Sequence, residues 1–190
     1  VAIVGSGPAG LSATIEAARL GHSVTLFESN SEIGGQFNLA KSIPGKDEFN
    51  ETLRYFDFML KQFGVQVKLN TRAEIASLAD YDHIILATGV KPRKWTIPGS
   101  DSKEVVSYID VLKGNVAVGK RVAIIGAGGI GFDVAEFLTH DETSQFLEEW
   151  GIDETLAERG GLKEPMPGQS AHHVEIFQRS EGKVGGKLGK

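Results

Sequence analysis

Apolar and polar positions change period twice within the first 28 residues. Residues 1–4 form a short apolar run that predicts a buried strand, and Gly5-Ser6-Gly7-Pro8-Ala9-Gly10 follows it. Leu11, Ile15, Ala18 and Leu20 then recur near helical spacing up to Gly21, a residue suited to a helix stop. Residues 23–27 read as a second strand, closed by Glu28. Strand, glycine turn, helix and strand in this order make the start of a βαβ unit.

Turn residues make 30–44 a loop, with Gly34-Gly35 at its centre. Residues 47–63 carry Phe49, Leu53, Phe56, Met59, Leu60 and Phe63 at steps of three and four, which predicts an amphipathic helix with those side chains in the core. Asp47 and Glu48 stand at its positive end, and Gly64 stops it. A strand is expected at 65–69 and a fully apolar one at 84–87, ending in Thr88-Gly89 ahead of Lys91-Pro92-Arg93. The pattern restarts near 114–119. Residues 122–125 form an apolar strand, Gly126-Ala127-Gly128-Gly129-Ile130-Gly131 repeats the glycine motif, and 132–139 continue helically. A strand is expected at 173–178, after Pro165 and Pro167, and a basic, glycine-rich tail carries Arg179, Lys183, Lys187 and Lys190.

These elements predict an α/β protein: a Rossmann-like unit over residues 1–116, followed by a second, incomplete Rossmann-like unit over 117–190. An acidic insertion at 141–164 interrupts the second unit, with Asp141, Glu142, Glu148, Glu149, Asp153, Glu154, Glu158 and Glu164 against only Arg159 and Lys163. Leu147, Trp150 and Leu156 suggest short helices there. A solvated helical face and a partner surface both fit this segment.

Composition narrows the chemistry. Apolar residues make up 41% and charged residues 24%, which suits a globular chain with a real core. No apolar run reaches the ~18–20 residues of a membrane span, so no membrane partner is expected. The net charge of −5 argues against a nucleic-acid footprint. With no cysteine, the chain holds no disulfide, thiolate zinc site, iron–sulfur ligand or redox-active cysteine pair of its own. The start at Val1, without Met and directly in a strand, reads as a portion of a longer chain.

The 24 glycines cluster at the strand-to-helix corners. A diphosphate needs backbone N–H groups aimed at it and no side chain in the way. In such a corner the first glycine makes the turn, the second lets the pyrophosphate approach, and the third lets helix and strand pack closely. Gly5, Gly7 and Gly10 fit these roles, as do Gly126, Gly128 and Gly131. Glu28 stands where an acid accepts hydrogen bonds from a ribose hydroxyl. After the second motif the next strand leads into Arg179, which suits a 2′-phosphate and favours NADP(H) over NAD(H). The alternative is that Arg179 is one of several solvated bases in the tail. Thr88-Gly89 alone is an ordinary strand-ending turn. His172 and His173, as strand neighbours, point to opposite faces and make a poor metal site. No role is assigned to Trp95 or Trp150.

Gly5–Gly10 with Glu28, Gly34-Gly35-Gln36, Ala87-Thr88-Gly89 and the second glycine motif together resemble the two-dinucleotide-binding-domain flavoprotein reductases. The stretches Gly34-Gly35-Gln36-Phe37-Asn38-Leu39-Ala40-Lys41, Ile43-Pro44-Gly45-Lys46, Leu53-Arg54-Tyr55, Glu149-Trp150-Gly151-Ile152-Asp153 and the closing Gly189-Lys190 are similar to the bacterial NADPH-dependent 2,4-dienoyl-CoA reductases. This resemblance implies FAD in the first unit and NADPH in the second, in a cytoplasmic enzyme of fatty acid β-oxidation. It implies further that FMN, a 4Fe–4S cluster and the 2,4-dienoyl-CoA substrate are held by parts of the protein outside these residues, which supply no catalytic acid and no metal ligand. By the same resemblance Gly5, Ser6, Gly7, Pro8, Ala9, Gly10, Glu28, Gly34, Gly35 and Gln36 surround FAD, Arg72 and Ala73 meet the adenine, and Thr88 and Gly89 close the turn beside it. Gly126, Gly128, Gly129, Ile130, Gly131, Arg179 and Lys183 would serve NADPH. Related barrel flavoenzymes, the enoate reductases and amine dehydrogenases, are the alternative, and in some the first unit holds ADP as a structural ligand.

Overall fold

The computed structural model describes residues 1–93, 96–140, 146–166, 168–186 and 188. Trp95, Asp141, Glu142, Pro167, Lys187 and the Gly189-Lys190 pair therefore lie outside the described residues. The chain forms two compact units, Val1–Val105 and Val106–Lys190. The division falls ahead of the expected 116/117 boundary because Val111, on helix α5 (Tyr108–Leu112), joins the second core.

In the first unit β1 (Ala2–Val4) leads through the glycine corner into α1 (Pro8–Arg19), which returns to β2 (Thr25–Phe27). A short helix α2 (Phe37–Ala40) breaks the predicted loop, and the long amphipathic helix α3 runs over Phe49–Gln62. Strand β3 (Gln66–Lys68), helix α4 (Ile75–Leu78) and strand β4 (Ile84–Leu86) complete the unit. The strands form one parallel sheet in the order β3-β2-β1-β4, with Val4 opposite Phe27 on one side and Leu86 on the other. A single core holds Ile3 and Leu26 from the sheet, Leu11 and Ile15 from α1, and Phe56 and Leu60 from α3. Each such side chain contributes about 1.5–3 kcal/mol on burial. Met59 and Phe63 pack against this core partly buried, and Phe49 stacks on Phe37 at 4.6 Å.

Strand β4 departs from expectation. Its apolar run predicts burial, yet Leu86 is 72% exposed: β4 is one of the two edge strands, and none of its side chains joins the core formed with α1 and α3.

In the second unit β5 (Arg121–Ile125) pairs in parallel with β6 (His173–Phe177), and α6 (Gly129–Thr139) crosses between them. Val134 and Leu138 of α6 meet Val111 of α5, with Val122, Ile124 and Val174 beneath. The insertion contains helix α7 (Phe146–Glu149), a 3-10 turn at Arg159–Gly161 and a bridge from Ile152 to Leu162. Phe146 and Trp150 are exposed, with ring centroids 6.0 Å apart.

Candidate functional site: two glycine corners

Chain direction reverses at Gly5, whose φ of 102° lies in the left-handed region that suits glycine. Its N–H donates to the Phe27 carbonyl at 2.8 Å, tying the corner to the end of β2. A side chain at Gly5 would strike the Ala87 carbonyl, which brings the Ala87-Thr88 strand end against the corner, whereas Gly89 stands exposed with open space beside it. A Cβ on Gly10 would collide with the Gly5 carbonyl, so helix α1 meets the strand end as closely as backbone allows.

Gly7 is different. It is the N-cap of α1, it has an ordinary extended backbone, and nothing lies within 4 Å of where its Cβ would be. Pro8 follows at the first helical position, where a missing N–H costs nothing. No side chain caps this helix start. The N–H groups of Ala9 and Gly10 thus belong to the first turn, which has no intrahelical acceptors, and the positive end of the dipole opens onto free space. Across that space Gly34 donates to the Ser6 carbonyl at 2.8 Å, and a Cβ on Gly35 would come within 2.9 Å of Gly7 Cα. Gln36 follows as the N-cap of α2. The structure therefore brings the Gly34-Gly35 loop onto the corner. This geometry fits a diphosphate: backbone donors, a helix N-terminus, and glycine where a Cβ would intrude.

Glu28 is 6% exposed and its carboxylate is fully engaged. Oε2 accepts from the Ser6 N–H at 2.9 Å and the Ser6 hydroxyl at 2.6 Å. Oε1 accepts from the Asn30 N–H at 2.8 Å and the Asn30 amide at 2.7 Å, with the Ser29 hydroxyl at 3.3 Å. Burial pushes the Glu28 pKa up, but the hydrogen bonds from Ser6 and Asn30 outweigh it and hold the group below the ordinary carboxylate range. Thr71 donates to the Glu28 carbonyl at 2.7 Å, so Arg72, exposed, and Ala73, half-buried, directly follow the residue bonded to this acid's backbone.

The second corner repeats the backbone of the first, although a Cβ on Gly126 meets nothing where one on Gly5 strikes Ala87. Gly126 has φ 123°, and its N–H donates to the Phe177 carbonyl at 2.8 Å. A Cβ on Gly131 would collide with the Gly126 carbonyl, just as Gly10 meets Gly5. Gly128 is the N-cap of α6, with open space at its Cβ, and Gly129 and Ile130 form the uncapped first turn. The registers also correspond, since Ile125 faces Phe177 as Val4 faces Phe27. The residue in the place of Glu28 is consequently Gln178, which the sequence reading passed over in favour of Arg179. The expected strand, 173–178, takes in Gln178, and only the observed register, ending at Phe177, sets it apart. The Gln178 amide donates to the Ser180 and Gly182 carbonyls at 2.9 and 3.0 Å, ordering the loop that carries Arg179 and Lys183. That loop lies back on α6, where a Cβ on Gly185 would come within 2.8 Å of the Phe132 ring.

His172 Nδ1 pairs with the Gly119 carbonyl at 2.8 Å and His173 pairs with Glu175 at 3.2 Å. Among the described residues no three potential metal-binding side chains come together, and no helix is long and apolar enough to cross a membrane.

Residues 1–144 match the sequence profile described as pyridine nucleotide-disulphide oxidoreductase. The chain belongs to that family. Its parallel α/β architecture is the family's Rossmann-like FAD- and NAD(P)-binding fold. Among curated members, cinnamate reductase of Clostridium sporogenes is 37% identical over 165 residues, which is 83% of this chain and 22% of that protein. N,N-dimethylglycine/sarcosine dehydrogenase of Chromohalobacter salexigens is 41% identical over 65% of this chain and 19% of that protein. Among solved structures, 2-naphthoyl-CoA reductase in complex with 2-naphthoyl-CoA superposes with a TM-score of 0.68 at 37% identity, covering 72% of this chain and 21% of that one. The chain thus spans about a fifth of the length of these family members.

Proposed function

We propose that this chain is the FAD- and NAD(P)H-binding portion of a larger flavoprotein oxidoreductase. The observation that carries the reading is the open Gly7 corner, a helix start bare of side chains and faced by Gly35; a second uncapped helix start, at Gly128, shares its open Cβ position. In this reading Gly5, Ser6, Gly7, Pro8, Ala9 and Gly10 hold the FAD diphosphate, Glu28 holds its ribose, and Gly34, Gly35, Gln36, Thr88 and Gly89 shape the surrounding walls. Arg72 and Ala73 meet the adenine. Gly126, Gly128, Gly129, Ile130 and Gly131 hold the diphosphate of the nicotinamide nucleotide, with Arg179 and Lys183 toward its 2′-phosphate. FAD, when bound, supplies the capacity to take a hydride from a reduced nicotinamide. The chain's own residues bind and orient the two nucleotides; with no cysteine among them, none performs thiol–disulfide exchange.

The whole protein is, on the finer reading, an NADPH-dependent 2,4-dienoyl-CoA reductase with FMN and a 4Fe–4S cluster in its other parts. The motifs quoted from the sequence support it, and the likeness to reductases of cinnamate and 2-naphthoyl-CoA agrees with a reductase. The second reading is an amine dehydrogenase whose first unit holds ADP, and the likeness to the dimethylglycine/sarcosine enzyme favours it. Cofactors released from the purified full-length protein separate the two readings. FAD with FMN supports the reductase, whereas ADP with FMN supports the dehydrogenase and overturns the first reading.

A further inference from the structure

Glu28 holds more donors than a ribose site can share. A carboxylate offers about four lone-pair positions, and five donors from the chain itself approach this one. The donors differ in how easily each can leave. The Ser6 N–H and Asn30 N–H are backbone groups in fixed places: Asn30 is pinned by its carbonyl, which accepts from Asn70 N–H at 2.9 Å. The Ser6 hydroxyl is rooted in a side chain with no exposure at all, so it stays on Oε2. Ser29 and Asn30 are both exposed: the Ser29 hydroxyl reaches Oε1 only at 3.3 Å, whereas the Asn30 side-chain amide holds it at 2.7 Å and is the principal movable donor there.

Resting on the nucleotide-binding reading, we propose that the Asn30 amide is a displaceable cap on the ribose-binding oxygen of Glu28, and that the Ser6 hydroxyl is the fixed positioning group that aims this carboxylate. A ribose hydroxyl donating to Oε1 replaces the amide donor one for one. The other chain donors stay on the carboxylate, so its hydrogen bonds number the same before and after the exchange. Asn30 then competes with the nucleotide, whereas Ser6 works with it. The two side chains bond the same acid and have opposite effects on affinity.

The test is FAD binding to the full-length protein freed of its flavin, followed by flavin fluorescence, with Tm recorded with and without FAD. Asn30→Ala is expected to tighten FAD binding by about 2- to 10-fold, the range of one net hydrogen bond, and to lower the Tm of the FAD-free form more than that of the loaded form. Ser6→Ala is expected to weaken binding, with Ser6→Thr restoring it in part. Weaker or unchanged binding by Asn30→Ala overturns the cap. So does a tightening that persists in the Glu28→Gln background, where the cap has no carboxylate to compete for. If Glu28→Gln alone leaves FAD affinity unchanged, the ribose assignment itself fails, a result distinct from failure of the cap.

Discussion

The N–H of Gly126 donates to the carbonyl of Phe177 at 2.8 Å, the same bond that joins Gly5 to Phe27. This one contact sets the register between the second glycine corner and the strand beside it. It places Gln178, a neutral amide, where the first unit has the acid Glu28.

That exchange predicts nucleotide selectivity. An acid at this place repels a 2′-phosphate and grips a 2′-hydroxyl, whereas glutamine repels neither. In the full-length enzyme Gln178→Glu should raise the KM for NADPH by about tenfold, since one well-placed charge is worth about 1.4 kcal/mol or more, and leave that for NADH little changed or lower. Arg179→Glu should act in the same direction. Steady-state kinetics with both nucleotides checks this, and equal effects on the two would remove these residues from the site.

The third glycines predict a stability effect. A methyl group at Gly10 or Gly131 runs into the backbone carbonyl of Gly5 or Gly126, which cannot swing aside as a side chain can. Gly10→Ala and Gly131→Ala should each destabilise the protein by about 2 kcal/mol or more. Urea unfolding reads the loss as a lower midpoint.

Glu28 predicts a pH dependence. Its pKa is lowered in the folded chain, so its carboxylate contributes stability at pH values above the unfolded carboxylate pKa, about 4.3. The contribution is lost as pH falls through the lower folded value. The stability difference between the wild type and Glu28→Gln should therefore be constant near neutral pH and shrink below about pH 4. Urea midpoints measured against pH test this, and a difference that grows on acidification contradicts it.

Both corners were legible in the sequence because each is local: an apolar run, three spaced glycines and a helical period lie within one continuous stretch. Glu28 was legible for the same reason, as the acid closing the next strand. Helices α2, α4 and α5 were missed because four or five residues do not complete enough turns to show a period. The exposure of Leu86 was missed because an apolar run reports what could be buried, and only what packs on the strand decides what is. Gln178 and Asn30 needed strand register and side-chain contacts, which sequence spacing does not carry.

Gly7 puts the central claim to the test most directly. Its backbone is ordinary and its Cβ position is empty, so the fold places no demand on glycine there, whereas a diphosphate bound as proposed would. Gly7→Ala should change stability by under about 1 kcal/mol, the scale of an N-cap substitution, while FAD affinity of the full-length protein falls at least about tenfold. Unchanged affinity in a stably folded Gly7→Ala protein would contradict the account.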